Sequence, residues 1–452
     1  MSDTDSKFDR AYELHRAGRG DEAARLYQEV VAADPRHARA WHQLACLVTA
    51  NEPERSVEMF LQALRLDGGM ASWHNNLGET FRALGRLNEA ARAYQQAIRL
   101  DPQYVTPRVN LCQAYLGLGK TAEAERAALE ALALSCRSAD EHCAAAALRL
   151  LRGDLAAGFD ELEWRLQLPG TVRPALPGAA WDGAPLAGQE ILLYAEQGLG
   201  DTLQFVRYLP HVIARGGRPI LAVQRSLLPL LRANVTCEVV PIDEPLPVCP
   251  WHAALLSLPK LLGTTLATVP HETPYLRADN KLVELWRPRL EGLGGFRVGI
   301  GWQGNRRYRF DRQRSIPLVE FAPLAKVGDV RLVSLQRESE GGQLSAVKDE
   351  WNVVDLGGQL DHQSGAFMDT AAVMMHLDLI VTSDTSIAHL AGALDRPVWV
   401  ALPMVPDWRW LLDREDCPWY PTMRLFRQCR SGDWAEVFQR LASDLAVLAS
   451  KA

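Results

Sequence analysis

Two spacings of apolar residues divide the chain. Through residue 168 the apolar positions recur every three or four residues, the period of an amphipathic helix. Beyond residue 188 they gather into short runs separated by helical stretches and by Gly, Pro, Ser and Asp. That alternation predicts the strands and helices of a parallel, doubly wound sheet. Residues 169–185 (PGTVRPALPGAAWDGAP), rich in Pro and Gly and without period, mark a boundary between the two textures.

Within the helical part, three segments align: 21–35, 53–68 and 88–102. Each carries a small residue, then an aromatic, then a small or aliphatic residue, then Pro or Gly. In order these are Ala23, Tyr27, Val30, Pro35; Ser56, Phe60, Ala63, Gly68; and Ala90, Tyr94, Ala97, Pro102. A weaker fourth unit holds Leu111, Tyr115, Gly119, Ala124 and Ala131. The period of about 34 residues resembles the tetratricopeptide repeat. Small residues let paired helices approach, aromatics fill between units, and Pro stops the second helix. Residues 138–168 keep the helical spacing and predict a degenerate fifth unit, with Phe159 and Trp164 covering its end. The sixth position of successive first helices holds Asp9, Gln43, Asn76 and Asn110. The repeats of O-GlcNAc transferases, which this region resembles, use an asparagine ladder there to hold a protein substrate. That resemblance makes Gln43, Asn76 and Asn110 candidate partner-binding residues, since an amide both donates to and accepts from a peptide backbone. A solvated polar face is the alternative.

The α/β part falls into two halves, 181–293 and 294–452, after repeats at 1–137 and capping helices with linker at 138–180. In the first half, strand 191–195 runs into Glu196-Gln-Gly198-Leu-Gly200-Asp201-Thr202 and a helix. Gly198 and Gly200 allow a tight turn and close backbone approach. Further strands are expected at 219–223, 237–241 and 253–258, then a helix over 279–290 and a Gly-rich hinge at 292–295. In the second half, strand 297–302 leads to Gln303, Gly304 and Asn305. Between Asn305 and Ser315 stand arginines 306, 307, 309, 312 and 314 against one aspartate. Guanidinium groups bind phosphate oxygens bidentately, so this stretch is either a phosphate loop or a solvated basic loop. Strand 377–382, the turn at Ser383 and Asp384, a helix from Thr385 or Ser386, and strand 398–402 follow. A helix start at the carboxyl end of a strand is an anion site, although Ser383 or Asp384 could serve only as its cap. Residues 407–410 and 418–421 are aromatic-rich and would either stack a base or sugar or plug the core.

Composition narrows the picture without changing it. The chain has 452 residues, 48% hydrophobic and 23% charged, with net charge −6. Those values fit globular domains and give no electrostatic reason to expect nucleic acid or an anionic membrane as partner. Eight scattered cysteines, none in a C-x-x-C pair, point to reduced thiols. The polar start MSDTDSKFDR lacks a signal-peptide core, and no apolar run reaches the ~18 residues of a membrane span. A cytoplasmic protein is expected.

Four motifs carry a wider resemblance: EQGLGDTLQF (196–205), GWQGNRRYRFDRQRSIPL (301–318), SDTSIAHLAGAL (383–394) and DWRWLLDREDCPWYP (407–421). Together they resemble the GT-B fold of the heptosyltransferase family, and bacterial proteins that fuse such a domain to tetratricopeptide repeats. The fold class expected is therefore α plus α/β: an α-solenoid, then two Rossmann-like α/β/α halves. By that resemblance Asp201 is the base that activates the acceptor hydroxyl. Asp384, Thr385, Ser386 and His389 bind the nucleotide-sugar, with Gly198, Gly200, Gln303, Gly304 and Asn305 in the surrounding turns. Arg314, before Ser315-Ile316-Pro317, holds the diphosphate, where the family usually shows Lys and then Trp-Pro. A carboxylate repels phosphate, so Thr385 and Ser386 should take the phosphate and Asp384 the sugar hydroxyls or the cap. No D-x-D metal motif occurs in this region, and no metal or cofactor is expected. The function implied is an inverting transfer of sugar from a nucleotide-sugar to a protein recruited by the repeats. The alternative is a repeat scaffold whose GT-B module lacks catalysis.

Overall fold

A computed structural model describes residues 3–134, 138–168, 171, 174, 176–304, 311–336 and 342–451, with 312 and 313 as backbone only. The chain divides into two compact units, 1–148 and 149–452.

In the first unit the described residues form helix pairs Asp3–Arg16 with Gly20–Ala33, Ala38–Val48 with Pro53–Leu66, Ala71–Ala83 with Leu87–Leu100, and Thr106–Gly117 with Thr121–Leu134. The repeat positions are the core. Ala23, Tyr27, Val30, Ala63, Ala90, Tyr94, Ala97, Ala124 and Ala131 are fully buried. Close packing explains the small residues: a Cβ on Gly78 would lie 2.5 Å from the Tyr94 ring. Ser56, standing where the other units have Ala, satisfies its hydroxyl by donating to the Ala45 carbonyl at 3.0 Å. The second helices of the first three pairs also stop in the same way. Asp34, Asp67 and Asp101 are extended C-cap residues. Their carboxylates accept from the N–H two residues on, at 3.0, 3.1 and 3.0 Å. That Asx turn ends the helix before the next unit begins.

The helix Leu155–Leu162 belongs to the second unit. Phe159 packs edge to face on Trp408 there, with centroids 5.4 Å apart. The expectation that Phe159 covers the end of the solenoid is therefore corrected: its large apolar ring is buried in the α/β unit.

That unit holds two all-parallel sheets. The first contains β1 (Ala179–Ala180), β2 (Glu190–Tyr194), β3 (Arg218–Val223), β4 (Glu238–Pro241) and β5 (Trp251–Ala254), in spatial order β1-β5-β2-β3-β4. The second contains β6 (Phe296–Gly301), β7 (Val330–Ser334), β8 (Val354–Asp355), β9 (Leu379–Ser383), β10 (Val398–Leu402) and β11 (Met423–Arg427), in order β11-β10-β9-β6-β7-β8. Continuous Val, Ile and Leu runs suit strands covered on both faces; β9 and β10 are buried throughout. One expectation fails locally. The apolar run 253–258 is only partly strand: β5 stops at Ala254, and Leu255–Ser257 and Leu258–Leu261 are helical. An unbroken apolar run fits a buried strand or a buried helix equally. After the basic stretch, Leu318–Phe321 is a 3-10 turn, followed by the short helix Ala322–Ala325.

Candidate functional site

Both sheets end in a turn that starts a helix, and the two helix starts meet. In the second half, β9 ends at Ser383 and the helix Ser386–Ala393 begins after Thr385. Thr385 is the N-cap residue, extended at φ −141° and ψ 174°, and its side chain makes no capping hydrogen bond among the described residues. Capping as the whole purpose of Ser383 and Asp384 is thus not what the structure shows. In the first half, the helix Leu199–Phe205 begins after Gly198. Here Asp201 does cap its turn: Gly198 N–H donates to its Oδ2 at 2.9 Å. The two starts touch at Gly200, where a Cβ would lie 2.9 Å from His389 Cδ2 and 3.5 Å from Ser386 Cα.

Asp201 reaches across to the second half. Its Oδ1 accepts from Arg409 Nη2. Arg409, 7% exposed, also donates through Nε to Gln204 Oε1 at 2.7 Å and through Nη1 to Asp407 Oδ1 at 2.8 Å. Burial opposes its charge, but Asp407 and Asp201 outweigh that, and its pKa is raised. A second buried arginine runs the other way. Arg207 of the first half donates to the Trp419 carbonyl at 2.6 Å, to the Pro270 carbonyl at 2.8 Å and to the Tyr275 hydroxyl at 2.9 Å. Its guanidinium lies 4.4 Å from the Tyr420 ring centroid.

His389 stacks on Trp410 at 5.3 Å, and its Nδ1 is 2.9 Å from the Tyr420 hydroxyl. Burial, then Arg409, Arg207 and Arg314, pushes its pKa well below the ordinary value, so the ring is neutral. If Tyr420 donates to Nδ1, the proton sits on Nε2. Asp384 behaves oppositely to an ordinary surface carboxylate. Burial and then Asp407 push its pKa up to about 6, against the Trp410 indole, Arg314 and Arg409.

Arg314 is held beside Gly304. Its Nε is 3.4 Å from Asp311 Oδ1, while Ser315 Oγ donates to Asp311 Oδ2 at 2.9 Å and accepts from Gly304 N–H at 3.2 Å. A side chain at 304 would lie 2.8 Å from Arg314 Nη2. Gln303 N–H donates to Gln336 Oε1 at 3.1 Å. Asn305 and arginines 306, 307 and 309 lie outside the described residues, as does the Arg312 side chain. The structure thus brings Gly198, Gly200, Asp201, Asp384, Thr385, Ser386 and His389 to one place. Arg314 is near enough for its charge to act on Asp384 and His389. A separate hollow of about 380 Å³, lined by residues including Asn234, Tyr275, Arg277 and Met368, contains neither aspartate.

The aromatic segments plug the core: Trp410, Trp419 and Tyr420 are at most 1% exposed. What sequence reasoning missed is the charge between those rings. Arg409 in Asp-Trp-Arg-Trp was the available signal, an arginine confined between large apolar neighbours. Arg207 and Gln204 carried none.

In the repeats, two of the candidate amides, Asn76 and Asn110, bond to neighbouring units. Asn76 Nδ2 is 3.1 Å from His42 Nε2, and Asn110 Nδ2 donates to Asn75 Oδ1 at 3.0 Å. His42 is pushed down to about 4 by burial, so it is neutral and accepts from Asn76. Gln43 is half-buried.

Comparisons with known proteins agree with this layout. Residues 8–45 match the tetratricopeptide repeat family and residues 78–119 a TPR repeat family. Residues 327–402 match glycosyltransferase family 9 (heptosyltransferase). The latter match includes the helix start at Asp384 and excludes Asp201, Arg314 and Arg409. Protein FlbA of Caulobacter vibrioides is 28% identical over 331 residues, covering 67% of this chain and 54% of FlbA. The chain therefore spans about half the length of that relative. Among solved structures, MamA is 20% identical with TM-score 0.34, over 36% of this chain and 90% of MamA. YrrB, described as a TPR protein with an unusual peptide-binding site, is 17% identical with TM-score 0.32, over 36% of this chain and 84% of YrrB. At these scores neither likeness carries an argument. The chain thus joins segments that match tetratricopeptide repeats to a segment that matches glycosyltransferase family 9, the latter within an α/β unit with two parallel sheets.

Proposed function

We propose that this chain moves a sugar from a nucleotide-sugar to a protein acceptor bound by its repeats. The observation that carries the reading is the uncapped helix start at Thr385 and Ser386, at the carboxyl edge of a parallel sheet. Free N–H groups and the helix dipole favour an anion there, and open α/β sheets bind ligands on that edge. In this reading the N–H groups of Thr385 and Ser386, with Arg314, take the diphosphate. Asp384 takes sugar hydroxyls, and His389 donates from Nε2. The turns of Gly198, Gly200, Gln303, Gly304 and Asn305 close around the donor. Asp201 accepts the proton of the acceptor hydroxyl as its oxygen attacks the anomeric carbon. The bond to the departing phosphate breaks, and its electron pair leaves with the nucleotide. Arginine and helix dipole offset that charge, without a metal. The acceptor lies along the repeats near Gln43, Asn76 and Asn110. The described cysteines are free thiols, which fits a reducing compartment such as the cytoplasm.

Titrating the protein with a panel of UDP-, GDP-, ADP- and CMP-linked sugars by calorimetry tests the donor site. One donor should bind saturably, and Arg314→Ala should weaken it ~10–100-fold, the loss of a charge-assisted bond worth ~1.5–3 kcal/mol. One observation favours the non-catalytic scaffold instead: the helix starts already touch through Gly200 and His389. Absence of binding to every donor would decide for the scaffold.

A further inference from the structure

Two buried arginines join the same pair of half-domains, and they end on different chemistry. Among the described residues Arg207 meets carbonyl oxygens, a hydroxyl and aromatic faces. It holds the halves together without touching a reacting group. Arg409 ends on the Asp201 carboxylate at the edge of the cleft.

We propose that Arg409 is the positioning residue of Asp201, a role that rests on the transferase reading above. The Asp201 carboxylate is held at both oxygens, Oδ2 by the Gly198 N–H and Oδ1 by Arg409. Its side chain remains 23% exposed, so one face stays open to an acceptor. A carboxylate fixed in this way meets the acceptor hydroxyl in a single orientation, and pre-set geometry of this kind is a large part of catalysis. Arg409 cannot drift either. Its guanidinium lies 4.3 Å from the Trp408 ring centroid, and Trp408 is wedged edge-on against Phe159 at 5.4 Å and Trp419 at 6.3 Å. Gln204, Asp407 and Asp201 take three donors of one planar fork. A lysine ammonium supplies charge but not that fork.

The test uses the full chain as wild type, Arg409→Lys and the milder Asp407→Asn, which loosens the same guanidinium from the other side. The probe is the nucleotide-sugar that binds in calorimetry, with nucleotide release to water as the reaction. Arg409→Lys should lower kcat by about 10²-fold, the scale of a misplacement of about 1 Å, with donor Kd and KM within about threefold of wild type. Asp407→Asn should fall between the two. A kcat unchanged in Arg409→Lys, or lost in proportion to donor affinity and Tm, would overturn the proposal. An arm independent of activity separates this from failure of the transferase reading. Carboxylates are coupled to glycine ethyl ester with a carbodiimide, and the peptide containing Asp201 is weighed. Asp201 should be protected in wild type and labelled in folded Arg409→Lys. Equal protection in both, at unchanged Tm, rejects Arg409 as the positioning group even if no donor is ever turned over.

Discussion

Both half-domains begin a helix with Asp-Thr just beyond a parallel strand, yet the two aspartates stand in different registers. Asp201 is the third residue of its helix and bonds back to the N–H of the N-cap Gly198. Asp384 precedes the N-cap Thr385 and caps nothing. The first carboxylate is fixed by a turn and by Arg409. The second is left half-buried beside Asp407, with its pKa pushed up to about 6. A shared dipeptide therefore gives one held anion and one carboxyl that titrates near neutrality. Register within the first helical turn decides between them, because only a residue inside that turn can reach back to the N-cap N–H.

The largest effect on this contrast should come from Asp201→Ala. It removes the turn's acceptor and one of the two carboxylates paired with the buried Arg409, and the bond to that charge alone is worth ~1.5–3 kcal/mol. Urea unfolding measures it, and a change below ~1 kcal/mol would mean that the ion pair contributes no more than an exposed one.

Gly200→Ala comes next. Its Cβ would press on His389, which is wedged between Trp410 and Tyr420 and cannot turn away. Overpacking of this kind costs ~1–3 kcal/mol. An unchanged Tm would show that the two helix starts are looser than they look.

The most diagnostic change is Asp384→Asn. The folded pKa is raised, so the native state holds this proton more tightly than the unfolded chain does. Stability from that protonation is complete below about pH 4 and is lost as pH rises through about 6. Asparagine removes the penalty, and the variant should gain on wild type as pH rises, by about 3 kcal/mol at pH 7.5 and almost nothing at pH 4. A stability difference that does not vary with pH would remove the basis for treating the two aspartates differently.

The parts of this molecule that were legible in sequence are those set by neighbours in the chain. The repeats are the clearest case, since Ala, aromatic and Asp-Pro positions recur and each has a local physical purpose. Strand β10 falls at 398–402 as expected, because a Val-rich run bounded by Pro at 397 and 403 has few other options. The helix start beyond Asp384 was legible as a helix start at the carboxyl end of a strand. It was not legible which residue would be the cap, since Ser383, Asp384 and Thr385 are all capable N-caps and the tertiary structure chose among them. Residues 253–258 misled because their apolar run has no period. Arg409 was invisible as a partner of Asp201 because the contact spans 208 positions and leaves no trace in either neighbourhood. The aromatic residues around it were noticed, and their service to the arginine was not.

The most direct test of the account sets donor binding against transfer in Asp201→Asn, which keeps a side-chain oxygen for the Gly198 N–H. Calorimetry should return the wild-type donor Kd, while sugar transfer falls by ~10²–10⁴-fold, the contribution of a positioned base. Transfer at the wild-type rate would contradict the assignment of chemistry to Asp201, and donor binding lost together with transfer would contradict the separation of the two helix starts into one for the donor and one for the reaction.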